Sequence, residues 1–284
     1  MKRIVFFLST IMMLFVSCAL NTAEEQSKET DWNKHDLNGK VRKLTAIHFY
    51  ANIQNGKIKT KDWYWTKIIL FSEDGKIMKE QNLANGDTAT YCYSYLDHCI
   101  VSECFDTREV ISIDSTFYTD FDKEALSIIY VLDTNMCYVE EGRATYIYNE
   151  KQQLIEKRID AYGDEDVIYY DDYNADGLLI KGHSYKSIDS TIFSYVYDAK
   201  GRVIKLTNTH IDGKKDCEFT YQYNNHGLVS FYRSTRGDYT SETKYTYKYD
   251  ERGNYILKTT YNLSASPDAY SNATIEERTI EYYE

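Results

Sequence analysis

The chain has 284 residues, a formal net charge of −11 and 43% hydrophobic residues, enough for one elongated domain or two compact ones. A chain this acidic argues against nucleic acid as a partner and against attraction to anionic lipid head groups, the more so because its Lys and Arg are scattered along the sequence. One proline and 29 tyrosines favour continuous β ladders over helices and long loops.

The chain opens on Lys2 and Arg3, an apolar run from Ile4 to Val16, and then Ser17-Cys18. A basic start, a short apolar stretch and a small residue before the cut define a secretory signal over residues 1–17, too short for a comfortable membrane span. Residues 18–35 are polar and without periodicity, which predicts a flexible tether, with Glu24 and Glu25 close behind Cys18. Loss of residues 1–17 removes Lys2 and Arg3 and takes the charge from −11 to −13.

From residue 36 the pattern changes to a repeat domain that runs to residue 284. Eight aromatics, Phe71, Tyr95, Phe121, Tyr148, Tyr173, Tyr197, Tyr223 and Tyr249, each stand just before a short polar turn, at gaps of 24, 26, 27, 25, 24, 26 and 26 residues. The cleanest copies are Tyr195-Val196-Tyr197-Asp198-Ala199-Lys200-Gly201, Tyr221-Gln222-Tyr223-Asn224-Asn225-His226-Gly227 and Tyr247-Lys248-Tyr249-Asp250-Glu251-Arg252-Gly253. Alternating aromatics are strand chemistry, with Tyr195 and Tyr197 on one face and Val196 on the other. Asp or Asn opens the turn by bonding the backbone two residues on, and Gly closes it at positive φ. Gly75, Gly177, Gly201, Gly227 and Gly253 are the predicted turn glycines. In weaker copies Cys99, Ala125 and Gln152 take that place, and a further copy is predicted to begin at Asp36 and run through Asn38-Gly39-Lys40-Val41. An apolar residue returns two positions past the glycine, so each unit is a β-hairpin. Asn55-Gly56, Asn85-Gly86 and Asp212-Gly213 are two-residue hairpin signals that join the units. The predicted fold is all-β: a long antiparallel meander of about eight or nine hairpins, curled by strand twist into a spiral, an open trough or a barrel-like wrap. Repeated at one register, the tyrosines form ladders across neighbouring strands, and some rings are open to stacking on a sugar or a partner.

These motifs, with Tyr173-Asn174-Ala175-Asp176-Gly177 and Tyr148-Asn149-Glu150-Lys151-Gln152, resemble the YD-repeat family, the units of Rhs and teneurin-type shells. The resemblance covers roughly residues 60 to 260. It implies a β scaffold and no catalytic residues, in repeats longer than that family's usual length. Val16-Ser17-Cys18 resembles a bacterial lipobox, with Phe15 where Leu is usual; this implies acyl chains on Cys18 that hold the protein to a membrane without crossing it. Asp87-Thr88-Ala89, Asp114-Ser115-Thr116 and Asp189-Ser190-Thr191 resemble the O-glycosylation acceptor of envelope proteins in Bacteroidota.

Chemical constellations are few. Asp172-Tyr173-Asn174-Ala175-Asp176-Gly177 opens like an EF-hand loop, but the twelfth position, which needs a Glu, is His183. The six histidines form no metal motif, and there is no nucleophile elbow or phosphate-binding loop. No cofactor, metal or catalytic residue is expected. Cys92 and Cys104 flank one predicted hairpin and are the best disulfide pair among five cysteines beyond Cys18. The sequence reading is a non-enzymatic, lipid-anchored protein of the cell envelope, at the outer membrane, whose repeat surface binds a protein or a glycan and no nucleic acid. Its alternatives are an envelope hydrolase or glycan-processing protein with a site inside the curl, and an accessory or immunity protein of a YD-repeat toxin system.

Overall fold

The computed structural model describes residues 30–106, 109–119, 123–132, 137–161, 163–185, 190–264 and 272–284. After a four-residue helix, α1 (Asp31–Lys34), come eighteen strands: β1 (Val41–Gln54), β2 (Lys57–Phe71), β3 (Ile77–Ala84), β4 (Asp87–Leu96), β5 (Cys99–Asp106), β6 (Glu109–Tyr118), β7 (Glu124–Leu132), β8 (Tyr138–Tyr148) and β9 (Leu154–Ala161). The second half holds β10 (Asp164–Tyr173), β11 (Leu179–Tyr185), β12 (Ser190–Tyr197), β13 (Val203–His210), β14 (Lys215–Tyr223), β15 (Val229–Arg236), β16 (Tyr239–Tyr249), β17 (Tyr255–Asn262) and β18 (Ala273–Tyr282). Each strand pairs antiparallel with the next, and β18 returns to pair with β1 along ten residue pairs from Val41↔Tyr282 to Ala51↔Ala273. The sheet is therefore a closed up-and-down barrel. Of the three shapes the sequence allows, the spiral and the open trough are excluded: an edge left unpaired in those shapes is consumed here by the β1–β18 ladder.

The repeat unit is a hairpin with a fixed defect. Tyr197 pairs with Val203, but Val196 pairs with Lys205, so Ile204 is an extra residue, a β-bulge. The same slot is filled by Met78, Ala125, Ile155, Ile180, Ser230 and Ile256. The turn before it is equally regular. Asp198 N–H donates to Arg202 O at 2.9 Å and Gly201 N–H to Asp198 O at 3.0 Å, with Gly201 at φ 75°. The Asp198 Oδ1 accepts from the N–H groups of Lys200 and Arg202 at 2.9 and 3.0 Å. Asn149, Asn174, Asn224 and Asp250 repeat both side-chain bonds, the local physics that makes Asp or Asn open these turns. Gly75, Gly177, Gly227 and Gly253 all take positive φ as well, as predicted, and Gln152 takes the position at φ 60° without glycine.

The ninth unit is cut in two by the chain ends. Tyr282 pairs with Val41 and Glu281 with Lys43, leaving Arg42 in the bulge slot; Tyr283 N–H donates to Lys40 O at 2.9 Å; Gly39 has φ 82°. This is the geometry of Tyr197 to Lys205 with no peptide bond across the turn. The copy expected from Asp36 onward is thus the second half of a hairpin whose first half is the C-terminus.

Several expectations need correction. Phe121 lies outside the described residues, and Tyr118 holds the repeat slot: it pairs with Glu124, and Thr119 N–H donates to Lys123 O at 2.7 Å. Ala125 is a bulge residue there. Cys99 replaces no glycine either, because Leu96 pairs with Cys99 around the two-residue turn Asp97-His98, with His98 at φ 55°. Asn55-Gly56 and Asn85-Gly86 are two-residue turns with positive φ throughout, but Asp212-Gly213 sits in a larger turn closed by His210 N–H to Lys214 O. The expected tether does not extend over residues 31–34, which are helical, with Asp31 buried. Cys18 lies outside the described residues. Cys92 pairs with Glu103 and Cys104 with Tyr91, so the two thiols point to opposite faces of the sheet and both are free.

Candidate functional site

The two faces of the wall differ. Tyr195, Tyr197, Tyr221, Tyr223, Tyr245, Tyr247 and Tyr255 share one face and are half-buried or buried. Val196, between Tyr195 and Tyr197, and Ile147, between Tyr146 and Tyr148, stand on the other face at 49% and 43% exposure. The aromatic face is therefore the enclosed one. Burial holds its phenols above their ordinary range: Tyr173 and Tyr197 are pushed up to about 12, and Tyr221 and Tyr247 further.

The predicted aromatics come together here, and their hydroxyls have a specific task. Tyr197 donates to Leu179 O at 2.5 Å, Tyr223 to Val203 O at 2.6 Å, Tyr148 to Glu124 O at 2.8 Å and Tyr173 to Leu154 O. Each acceptor is the residue just before the bulge of the preceding hairpin, where the ladder is interrupted. Tyr247 does this for Val229 at 2.7 Å in place of Tyr249, whose hydroxyl instead accepts from Asn224 at 2.8 Å. The tyrosine ladder is thus a set of braces that tie each hairpin to its predecessor. Tyr197→Phe or Tyr223→Phe is expected to cost about 1 kcal/mol each in urea unfolding, with unchanged m-value, because each leaves a half-buried carbonyl without its donor.

One stretch of the enclosed face carries charge. Glu276 and Arg278 on β18 form an ion pair at 2.6 Å and are 14% and 9% exposed. Arg278 lies over the Tyr255 ring at 3.5 Å from its centroid, and Tyr255 donates to Glu276 at 3.2 Å. Burial alone would raise the Glu276 carboxyl, but Arg278 and Lys258 hold it below the ordinary range; burial lowers the Lys258 ammonium. Asp36, at φ 55°, is shifted the other way, up, by burial with Glu276 adding to it.

The N-terminal segment closes over this region. Asp31 Oδ2 accepts from Ile77 N–H at 2.8 Å and from the Tyr95 hydroxyl at 2.7 Å, and Trp32 Nε1 donates to Val41 O at 2.7 Å. Leu37, Val41, Leu44, Ile69, Phe71 and Ile77 form the main buried cluster beneath it. Asn254, with no exposed surface, donates to Asn38 O at 2.9 Å and the Tyr282 hydroxyl at 2.6 Å, and its Oδ1 accepts from Asn38 N–H at 2.5 Å. Arg278 donates to His35 O at 3.2 Å. Sequence reading missed Asp31, Asn254, Glu276 and Arg278. For Asn254 a signal exists: the sister turns carry Arg202, Leu228 and Leu178 at that position.

His35 meets Phe71 edge-on at 6.0 Å. Burial, then the cations Lys67 and Arg278, lower its pKa from 6.5 to about 4. The folded state therefore holds this ring neutral. Its contribution to stability is full above pH 6.5 and is lost as pH falls from 6.5 towards 4, by about 3 kcal/mol in all. His35→Phe is expected to flatten that part of a stability-against-pH curve measured by urea unfolding; an unaltered slope between pH 6.5 and 4 would contradict the assignment.

The opposite face is a charged wall over β13 to β16. Glu218 accepts from Lys205 and Lys215, each at 2.7 Å, and Arg233 pairs with Glu242 at 2.5 Å, all across or along neighbouring strands. Lys244, Thr246 and Lys248 continue it on β16. The acidic turn at 172–177 is a hairpin turn around Asn174, and His183 contacts Asp171 at 2.7 Å. Among the described residues no helix is long and apolar enough to cross a membrane.

No protein-family model matches this chain, and no curated protein matches it. Among solved structures it is similar to a porin-like protein from Bacteroides uniformis (13% identity, 85% of this chain and 98% of that one, TM-score 0.47). It is also similar to a porin-like protein from Bacteroides vulgatus (14% identity, 87% and 99%, TM-score 0.41). A TcdB2-TccC3-Cdc42 complex matches at 15% identity and TM-score 0.31 over 75% of this chain, which spans about 14% of that one.

Proposed function

We propose that this chain is a non-enzymatic, lipid-anchored protein of the bacterial cell envelope whose barrel surface binds a protein or glycan partner. The observation that carries this reading is the charged outward wall of β13 to β16. A barrel that spans a bilayer needs an apolar belt around its whole circumference, and an Arg or Lys facing lipid at the midplane costs about 2–4 kcal/mol. Lys205, Arg233 and Lys244 stand where that belt would run. A wall of this kind supports a barrel that stands in water and reaches the membrane through acyl chains on Cys18. On the enclosed face the rings brace bulges, and Glu276 is engaged by Arg278 and Tyr255, which supports a structural use of those groups. Replacing Cys18 by Ala should move the protein from the membrane to the soluble fraction and leave it monodisperse without detergent. Retention in membranes, or aggregation that only detergent relieves, would sink the proposal. A glycan array on the released protein then separates sugar from protein partners.

A second reading, a glycan-processing enzyme with its site inside the barrel, draws on the opposite shifts of Asp36 and Glu276. It requires that Glu276→Gln abolish turnover of an array-positive glycan without loss of binding.

A further inference from the structure

The barrel has one long projection. β1 and β2 are 14 and 15 residues long, against 7 to 11 in the other strands. β3 pairs with β2 only over 66–71, and β18 pairs with β1 only as far as Ala51. Beyond those points the β1–β2 hairpin stands alone, and every residue from 54 to 63 is exposed. Its two edges are treated differently. On β1, Asn272 imitates a neighbouring strand: its N–H donates to Ala51 O at 3.1 Å, and its side-chain amide both accepts from Ile53 N–H and donates to Ile53 O at 2.9 Å. Along the edge of β2 that faces away from β1, no strand among the described residues pairs over 57–65.

From this we infer that the free edge of β2 over 57–65 is a docking site for an extended, acidic segment of a partner protein, which adds to the arm as a strand. The inference rests on the reading of the barrel as a binding scaffold and names its partner. An unpaired strand edge offers a row of amide and carbonyl groups to an incoming strand, and pockets for its alternate side chains set specificity. Lys57 and Lys59 lie along this edge in a chain of net charge −11, a short basic stripe that the overall composition hides, while Lys61 is turned back across β1 to pair with Glu277 on β18 at 2.6 Å. Lysines on an edge also deter self-pairing, and Lys59 in its bulge fits that role. Deterrence alone does not account for Ile58 and Trp63, which remain 53% and 45% exposed on the same strand. A second copy of the chain is disfavoured as the occupant, since edge-to-edge pairing would set the two lysine stripes against each other. An acidic strand meets the lysines with opposite charge and covers the two apolar side chains.

The test uses the purified full chain and a fluorescein-labelled ten-residue peptide of alternating Glu and Val, with a Lys-for-Glu counterpart. Binding is read by anisotropy, and docking by amide hydrogen exchange. The acidic peptide should bind and slow exchange within 57–65 by about tenfold or more, the Lys peptide should not bind, and Lys57→Glu with Lys59→Glu should weaken binding by about tenfold. Both substitutions lie on the exposed arm, outside the barrel core, so folding is preserved. Unchanged exchange over 57–65 at millimolar acidic peptide, equal binding of the two peptides, or a dimer that protects the same amides without peptide would each overturn the inference. Protection by the acidic peptide elsewhere on the barrel would overturn it too, while leaving the scaffold reading in place.

Discussion

Asn254→Ala is expected to lower the unfolding free energy by about 2–4 kcal/mol, more than any turn or brace substitution. The side chain has no exposed surface and makes three bonds to the split ninth turn: two with the backbone of Asn38 and one with the Tyr282 hydroxyl. Truncation leaves the Asn38 N–H and C=O short of partners at the one hairpin that has no covalent turn. Tyr282 also donates to Asp250 at 2.6 Å, so the same change loosens the neighbouring turn. Asn254→Leu is the informative control. Leucine fills this repeat position at Leu178 and Leu228, so a loss with Leu as large as with Ala assigns the effect to the amide and not to volume. Urea unfolding with both variants decides it; a change below about 1 kcal/mol for Ala would remove Asn254 from the closure of the barrel.

Phe71→Ala is expected to cost about 3–5 kcal/mol, as for other fully buried aromatic side chains. Phe71 has no exposed surface, sits in the main cluster with Leu44, Ile69 and Ile77, and is met by the His35 ring. Its sister positions are tyrosines with accessible hydroxyl partners. At position 71 the order of preference reverses: Phe71→Tyr buries a hydroxyl among apolar neighbours and should itself cost about 1–3 kcal/mol, whereas Tyr197→Phe loses only one bond. If Phe71→Tyr stabilised the chain, the cluster would have to contain a polar partner that the packing does not show.

Much of this architecture is legible in the sequence because it is local. The Tyr-x-Tyr-[Asp/Asn]-x-x-Gly string encodes strand alternation, an Asx-closed turn and a positive-φ glycine within seven residues, and all three occur at Tyr197, Tyr223 and Tyr249 as read. The errors arise where local chemistry is not what decides. Phe121 fits the spacing, but the bulge and the turn bond fall at Tyr118 and Thr119, because spacing varies once a hairpin between repeats lengthens. Cys92 and Cys104 are near in sequence, but the pleat sends them to opposite faces. Closure itself is non-local: its trace in the sequence is Asn38-Gly39-Lys40-Val41 without a tyrosine before it, and Tyr282-Tyr283 more than two hundred residues away. The candidate surface is the least legible part. The lysine stripe on β2 becomes visible only when the partners of β1 and β3 show where pairing stops.

The seam between first and last strands is the feature on which the closed barrel stands. Thr45 and Thr279 are paired across it, and directly opposed residues of antiparallel strands lie about 4.5–5.5 Å apart, within reach of a disulfide. In Thr45→Cys/Thr279→Cys, oxidation should join the peptides that carry positions 45 and 279, as seen by non-reducing peptide mapping, while Thr45→Cys/Thr207→Cys should stay unlinked. A seam pair that fails to cross-link, or links no better than the Thr207 control, would mean that β1 and β18 do not meet and that the sheet is open.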